Sequence, residues 1–72
     1  LFRDGLNRMA QKVGEEALEA VIEATNGTND RLLYEASDMF FHLEVLLTAK
    51  GLRIEQVAEE LQKRHQPGWK KH

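Results

Sequence analysis

No cysteine occurs in the 72 residues, so neither a disulfide nor a thiolate metal site can staple the fold. No apolar run reaches the roughly 18 residues a membrane span needs, and no signal-peptide pattern opens the sequence. Together these lacks make a soluble cytoplasmic protein the expectation, with no membrane partner. An excess of one charge is missing too. Ten basic and twelve acidic residues leave a net charge of −2, too balanced to draw nucleic acid by electrostatics alone. With one proline, Pro67, and five glycines, long stretches run without a breaker. No repeat or low-complexity tract is present, and no segment alternates at period two, so no strand is expected.

Length is also in short supply. A domain of this size buries only about 60% of the surface its unfolded chain exposes, and is marginal alone. With disulfides excluded, oligomerisation is the common remedy, and a homodimer is expected. The sequence reads as a single domain over 1–72 whose end, 66–72, is a flexible tail with Trp69 in solvent. It begins at Leu1 rather than Met, so residues upstream are expected.

What is present is helical. A first helix is expected over about 5–25, with Met9, Val13, Ala17, Ala20, Val21 and Ala24 on one face. Asn26-Gly27 supplies a left-handed stop, and Thr28 or Asn29 an N-cap for the next helix. A second helix is expected over about 30–50, closed by Gly51. A third covers about 54–65, with Ile54, Val57, Ala58 and Leu61 facing inward. The class is all-α: an antiparallel hairpin plus a third helix, assembling as a helical-bundle homodimer. The second helix is apolar on nearly all sides. Leu32, Leu33, Ala36, Met39, Phe40, Leu43, Leu46 and Leu47 fill a broad face, and Tyr34, Phe41 and Val45 another. Glu35, Asp38 and His42 occupy a narrow stripe between them. Such a helix is a buried one, and in so short a chain its burial needs a partner subunit.

Carboxylates at helical spacing are the chemical signal. Glu15, Glu16 and Glu19 lie three and four apart on the first helix, as do Glu35 and Asp38 on the second. Glu16 borders the apolar face and Glu15 points further towards solvent, so Glu16 and Glu19 are the inward candidates. In an antiparallel hairpin Glu16, Glu19, Glu35 and Asp38 face one another at matching height. Four such groups repel and raise one another's pKa unless a cation offsets them. All-oxygen ligation favours Mg²⁺, or Mn²⁺ in its place. No Glu-x-x-His supports di-iron, and the three histidines are too scattered for zinc. Two plainer readings stand beside this one. The first-helix glutamates could form a solvated face, and Glu35 and Asp38 could pair with Arg31, Lys12 or Arg8. His42, one turn beyond Asp38, reads as a packed, hydrogen-bonded histidine rather than a general base, and Ser37 points away from the ligands.

The pattern Glu15-Glu16-x-x-Glu19 followed by Glu35-x-x-Asp38 resembles the signature of the all-α, MazG-like nucleotide pyrophosphohydrolases. The stretch Arg8-Met9-Ala10-Gln11-Lys12-Val13-Gly14-Glu15-Glu16-Ala17 is similar more specifically to the phosphoribosyl-ATP pyrophosphohydrolases of histidine biosynthesis. Leu33-x-Glu35-x-x-Asp38-x-x-x-His42-Leu43-x-Val45-Leu46-Leu47 and Arg64-His65 agree with it, so the likeness covers about 1–65. It implies hydrolysis of phosphoribosyl-ATP to phosphoribosyl-AMP and pyrophosphate by metal-activated water, with Mg²⁺, in a helical homodimer. It makes Glu16, Glu19, Glu35 and Asp38 metal ligands and gives Glu15, with Glu16, a catalytic role in orienting water. Lys12, one turn before Glu16, and Arg8 are the candidate substrate-binding residues for phosphate, with Arg3 and Arg64 as further candidates; each could equally be surface charge. The 66–69 segment is not accounted for by the likeness. The competing functions are a related pyrophosphohydrolase for another nucleoside triphosphate and a non-catalytic helical dimerisation module.

Overall fold

The computed structural model describes residues 2–65, with side chains from Asp4 onward. The expectations for 66–72, including Trp69, and for the Arg3 side chain lie outside the described residues. Three helices run in sequence: α1 (Phe2–Asn26), α2 (Asn29–Ala49) and α3 (Ile54–Arg64). No strand occurs among the described residues. The chain is all-α, as its periodicity predicts, and α1 starts three residues earlier than expected because Gly5 does not break it.

The breaks are local chemistry. Thr28 is extended at φ −108° and ψ 162°, and its hydroxyl accepts the Arg31 N–H at 3.2 Å, which makes it the N-cap of α2. Gly51, at φ 79°, ends α2 in the left-handed region that suits glycine. Leu52 N–H donates to Leu47 O at 2.8 Å and Gly51 N–H to Thr48 O at 3.0 Å, the paired bonds of a Schellman stop. Gly27 differs from expectation: its φ is not positive, so α1 does not end through a left-handed residue. Its missing side chain serves Glu23 instead, whose carboxylate folds over the space a Cβ would fill. At α3 the Gln56 side chain accepts the Arg53 N–H at 2.8 Å and so closes the first turn.

Helices α1 and α2 form the hairpin, packing along most of their length. The faces that meet differ in part from those expected. On α1 the covered side is Leu6, Met9, Val13, Glu16, Ala17, Ala20 and Glu23, whereas Val21 and Ala24 are exposed. On α2 the seam follows Leu32, Glu35, Ala36, Met39, His42, Leu43 and Leu46. Its narrow polar stripe therefore turns towards α1, and Leu33, Tyr34, Phe40 and Phe41 on its flanks stay open, Leu33 at 68% and Phe41 at 60% exposure. On α3 only Ile54 is half-buried; Val57, Ala58 and Leu61 face solvent, contrary to the inward placement expected. The reason is that α3 packs little against the hairpin, so its apolar stripe has nothing within the described chain to cover it. No apolar side chain among the described residues is fully buried; the two buried residues are Glu16 and Glu35. Among the described residues no helix is long and apolar enough to cross a membrane.

Candidate active site

Both buried carboxylates lie in the α1–α2 seam, one from each helix, at 8% and 7% exposure for Glu16 and Glu35. Each has a cationic or protonatable partner. Across the seam, the Glu16 Oε1 lies 2.6 Å from His42 Nδ1, a contact between largely enclosed side chains. His42 is thus the packed, hydrogen-bonded histidine its position predicts, although spacing alone does not reveal its partner. Arg31 Nη2 donates to Glu35 Oε2 at 3.2 Å along one turn of α2. The same guanidinium lies 3.9 Å from Glu23 on α1 and 5.2 Å from the Tyr34 ring centroid.

Glu19, expected to face inward, is exposed on α1, but it stands near enough to Glu35 to act on its carboxyl through charge and hydrogen bonding. Burial raises the Glu35 pKa above its ordinary 4.5; repulsion from Glu19, the shared hydrogen bond and the Asp38 charge raise it further, against the opposing pull of Arg31. Asp38 is half-buried one turn along from Glu35. The predicted quartet therefore stands in two stations, Glu16 with His42 and Glu19 with Glu35 and Asp38. Among the described residues no three acidic or histidine side chains converge on one point where a cation could sit. The donor chemistry still suits a hard divalent ion. Carboxylate oxygens predominate, and one of them is held in a place where its charge is unfavourable without further positive charge.

Glu15 stands apart from the seam. It is exposed and accepts the Gln11 side-chain amide at 3.0 Å. Arg8, Gln11, Lys12 and Glu15 line an open pocket of about 220 Å³ on the outer side of α1, which brings both predicted phosphate-binding cations together beside Glu15. Arg64, by contrast, donates to Glu60 at 3.1 Å on the surface of α3. Ser37 bonds the Leu33 carbonyl at 2.7 Å, away from the carboxylates as expected. Glu23 is a member of the seam that the sequence pattern did not single out. Its spacing, four beyond Glu19 and seven beyond Glu16, places it on the same helix face and is the available signal.

Fold and seam define a class: an all-α helical hairpin that buries carboxylates among the apolar side chains of its seam. Within that class the chain belongs to the phosphoribosyl-ATP pyrophosphohydrolase family, whose sequence profile matches residues 1–65. It is 65% identical over all 72 residues to the histidine biosynthesis bifunctional protein HisIE of Bacteroides thetaiotaomicron, of which it spans 36%. It is 49% identical over 65 residues, 90% of this chain and 71% of the relative, to the phosphoribosyl-ATP pyrophosphatase of Leptospira biflexa. The phosphoribosyl-ATP pyrophosphatase of Erythrobacter litoralis is 52% identical over 60 residues, 83% of this chain and 58% of that protein. No solved structure matches the chain significantly.

Proposed function

We propose that the chain hydrolyses phosphoribosyl-ATP to phosphoribosyl-AMP and pyrophosphate, as a Mg²⁺-dependent cytoplasmic homodimer serving histidine biosynthesis. One observation carries the reading: the only residues buried among those described are two glutamates, one from each helix of the seam, and one of them, Glu35, faces a third carboxylate, Glu19, on the other helix. Uncompensated carboxylates in such a place are costly, and a seam built this way gains from a divalent cation. Membership of the family and the names of the relatives support the substrate.

Glu16, Glu19, Glu35 and Asp38 would hold Mg²⁺, or Mn²⁺ in its place. When bound, the ion supplies positive charge to phosphate oxygens as charge develops in an in-line displacement. The chain's own residues do the rest. Glu15 orients the attacking water from the rim of the pocket, and Lys12 and Arg8 hold the phosphates whose negative charge would otherwise be repelled by the glutamates. No side-chain nucleophile is required, and Ser37 is turned away.

A second reading has an observation in its favour. Arg31 already places positive charge on Glu35, as a purely structural seam would require. The substitution Glu35→Gln separates the two readings. On the catalytic reading it abolishes Mg²⁺-dependent thermal stabilisation and lowers pyrophosphate release by more than the ~10–100-fold that loss of a merely orienting partner costs. As a dimerisation module the chain would tolerate the change, or gain stability, with Mg²⁺ present.

A further inference from the structure

We propose that His42 is the positioning residue of Glu16: from the opposite helix it donates Nδ1–H to Glu16 Oε1, fixes the carboxylate's rotamer, and presents its other oxygen to the divalent cation. The inference rests on the metal reading above and deepens it.

Three observations carry it. The contact is 2.6 Å, shorter than any other side-chain hydrogen bond among the described residues, and it joins α2 to α1. Both side chains are largely enclosed, at 17% for His42 and 11% for Glu16, so neither is free to reorient in water. By contrast the partner of Glu35 is Arg31, a flexible side chain 55% exposed and on the same helix. Glu16 is therefore the carboxylate of the seam whose direction is set by a rigid group.

Protonation follows from the geometry. Two atoms at this separation need one proton between them, and an ionised carboxylate can only accept. The proposed bond therefore places the proton on Nδ1. Oε1 is engaged by that bond, which leaves Oε2 outside it. A ligand carboxylate held in this way does not have to be ordered when the ion binds, and partners of this kind are typically worth about 10–100-fold in metal affinity or activity. The Phe41 ring meets the His42 imidazole edge-on, with centroids 5.2 Å apart and planes at 70°, which further limits rotation of the ring.

The test compares His42→Ala and His42→Asn in the full chain. Asn keeps a donor near the position of Nδ1 and has no ring to titrate. Calorimetric titration with Mg²⁺ should show binding weakened about 10–100-fold in H42A and largely retained in H42N. The Mg²⁺ concentration giving half-maximal pyrophosphate release should rise in parallel in H42A, with much of the rate recovered at saturating Mg²⁺. Nitrogen NMR of the metal-free wild type should show the Nδ1–H tautomer, a readout that survives if H42A does not fold. Wild-type Mg²⁺ affinity in H42A, equal losses in H42N and H42A, or an Nε2–H tautomer would each overturn the inference. The metal reading fails separately, and takes this inference with it, if the wild-type chain itself does not bind Mg²⁺.

Discussion

Glu35 concentrates the electrostatics of the chain at one atom group. Burial is the first cause of its raised pKa and the Glu19 charge the second, while Arg31 pulls the other way. Glu19→Gln should therefore bring the Glu35 titration down towards 4.5 without reaching it, and Arg31→Ala should push it higher; carboxyl-carbon NMR checks both. Stability inherits the sign of this shift. The folded chain keeps the Glu35 proton to higher pH than the unfolded chain does. Between 4.5 and the raised value the folded state binds more protons, so raising pH through that window lowers metal-free stability. The loss is complete above the folded pKa and should be smaller in Glu19→Gln. Identities at this scale are legible in sequence: spacing alone separates Glu16 from the outward Glu15. Partners are less so. Helical spacing says which residues share a face but not which residue of the next helix stands opposite, so the Glu16–His42 pair and the place of Glu23 need the hairpin's register.

At the scale of the elements, breaks and caps do most to fix the hairpin. The turn between α1 and α2 is only Gly27 and Thr28, so the Thr28 cap also sets where Arg31 begins its reach to Glu35. Thr28→Ala should cost about 1 kcal/mol. Gly51→Ala should cost about 1–2 kcal/mol, because the left-handed backbone strains any Cβ. For a chain of this size each kcal/mol lowers the melting temperature by about 4–8 °C, readily measured by thermal denaturation. Helix number and ends are readable because Thr28, Gly51 and the apolar period are local signals. Gly27 is not the left-handed stop its dipeptide suggests. Asn-Gly fits such a stop, but the same glycine also serves a neighbour that needs space, here the Glu23 carboxylate.

For the whole molecule the governing fact is the apolar surface left uncovered. Leu18, Val21, Leu33, Tyr34, Phe40 and Phe41 are each more than half exposed, and no apolar side chain among the described residues is buried. A surface of this kind marks an interface, and a second copy is the occupant the proposed homodimer supplies. Light scattering should give twice the chain mass, and Phe40→Glu should return a monomer of reduced stability and activity; a wild-type monomer would refute the dimer. This is also why the inward faces are only partly legible in the sequence. Apolar periodicity marks surfaces that leave water, not the neighbour they meet, and α2 has more apolar flank than one helix can cover. What α1 covers is the narrow stripe of Glu35 and His42 with the adjoining part of the leucine face, Leu32, Ala36, Met39, Leu43 and Leu46, while Leu33 and Phe40 stay open. The most direct test of the central claim is pyrophosphate release from phosphoribosyl-ATP with and without Mg²⁺. The account predicts turnover that requires the ion and collapses in Glu35→Gln. Turnover indifferent to Mg²⁺, or confined to other nucleoside triphosphates, would contradict it.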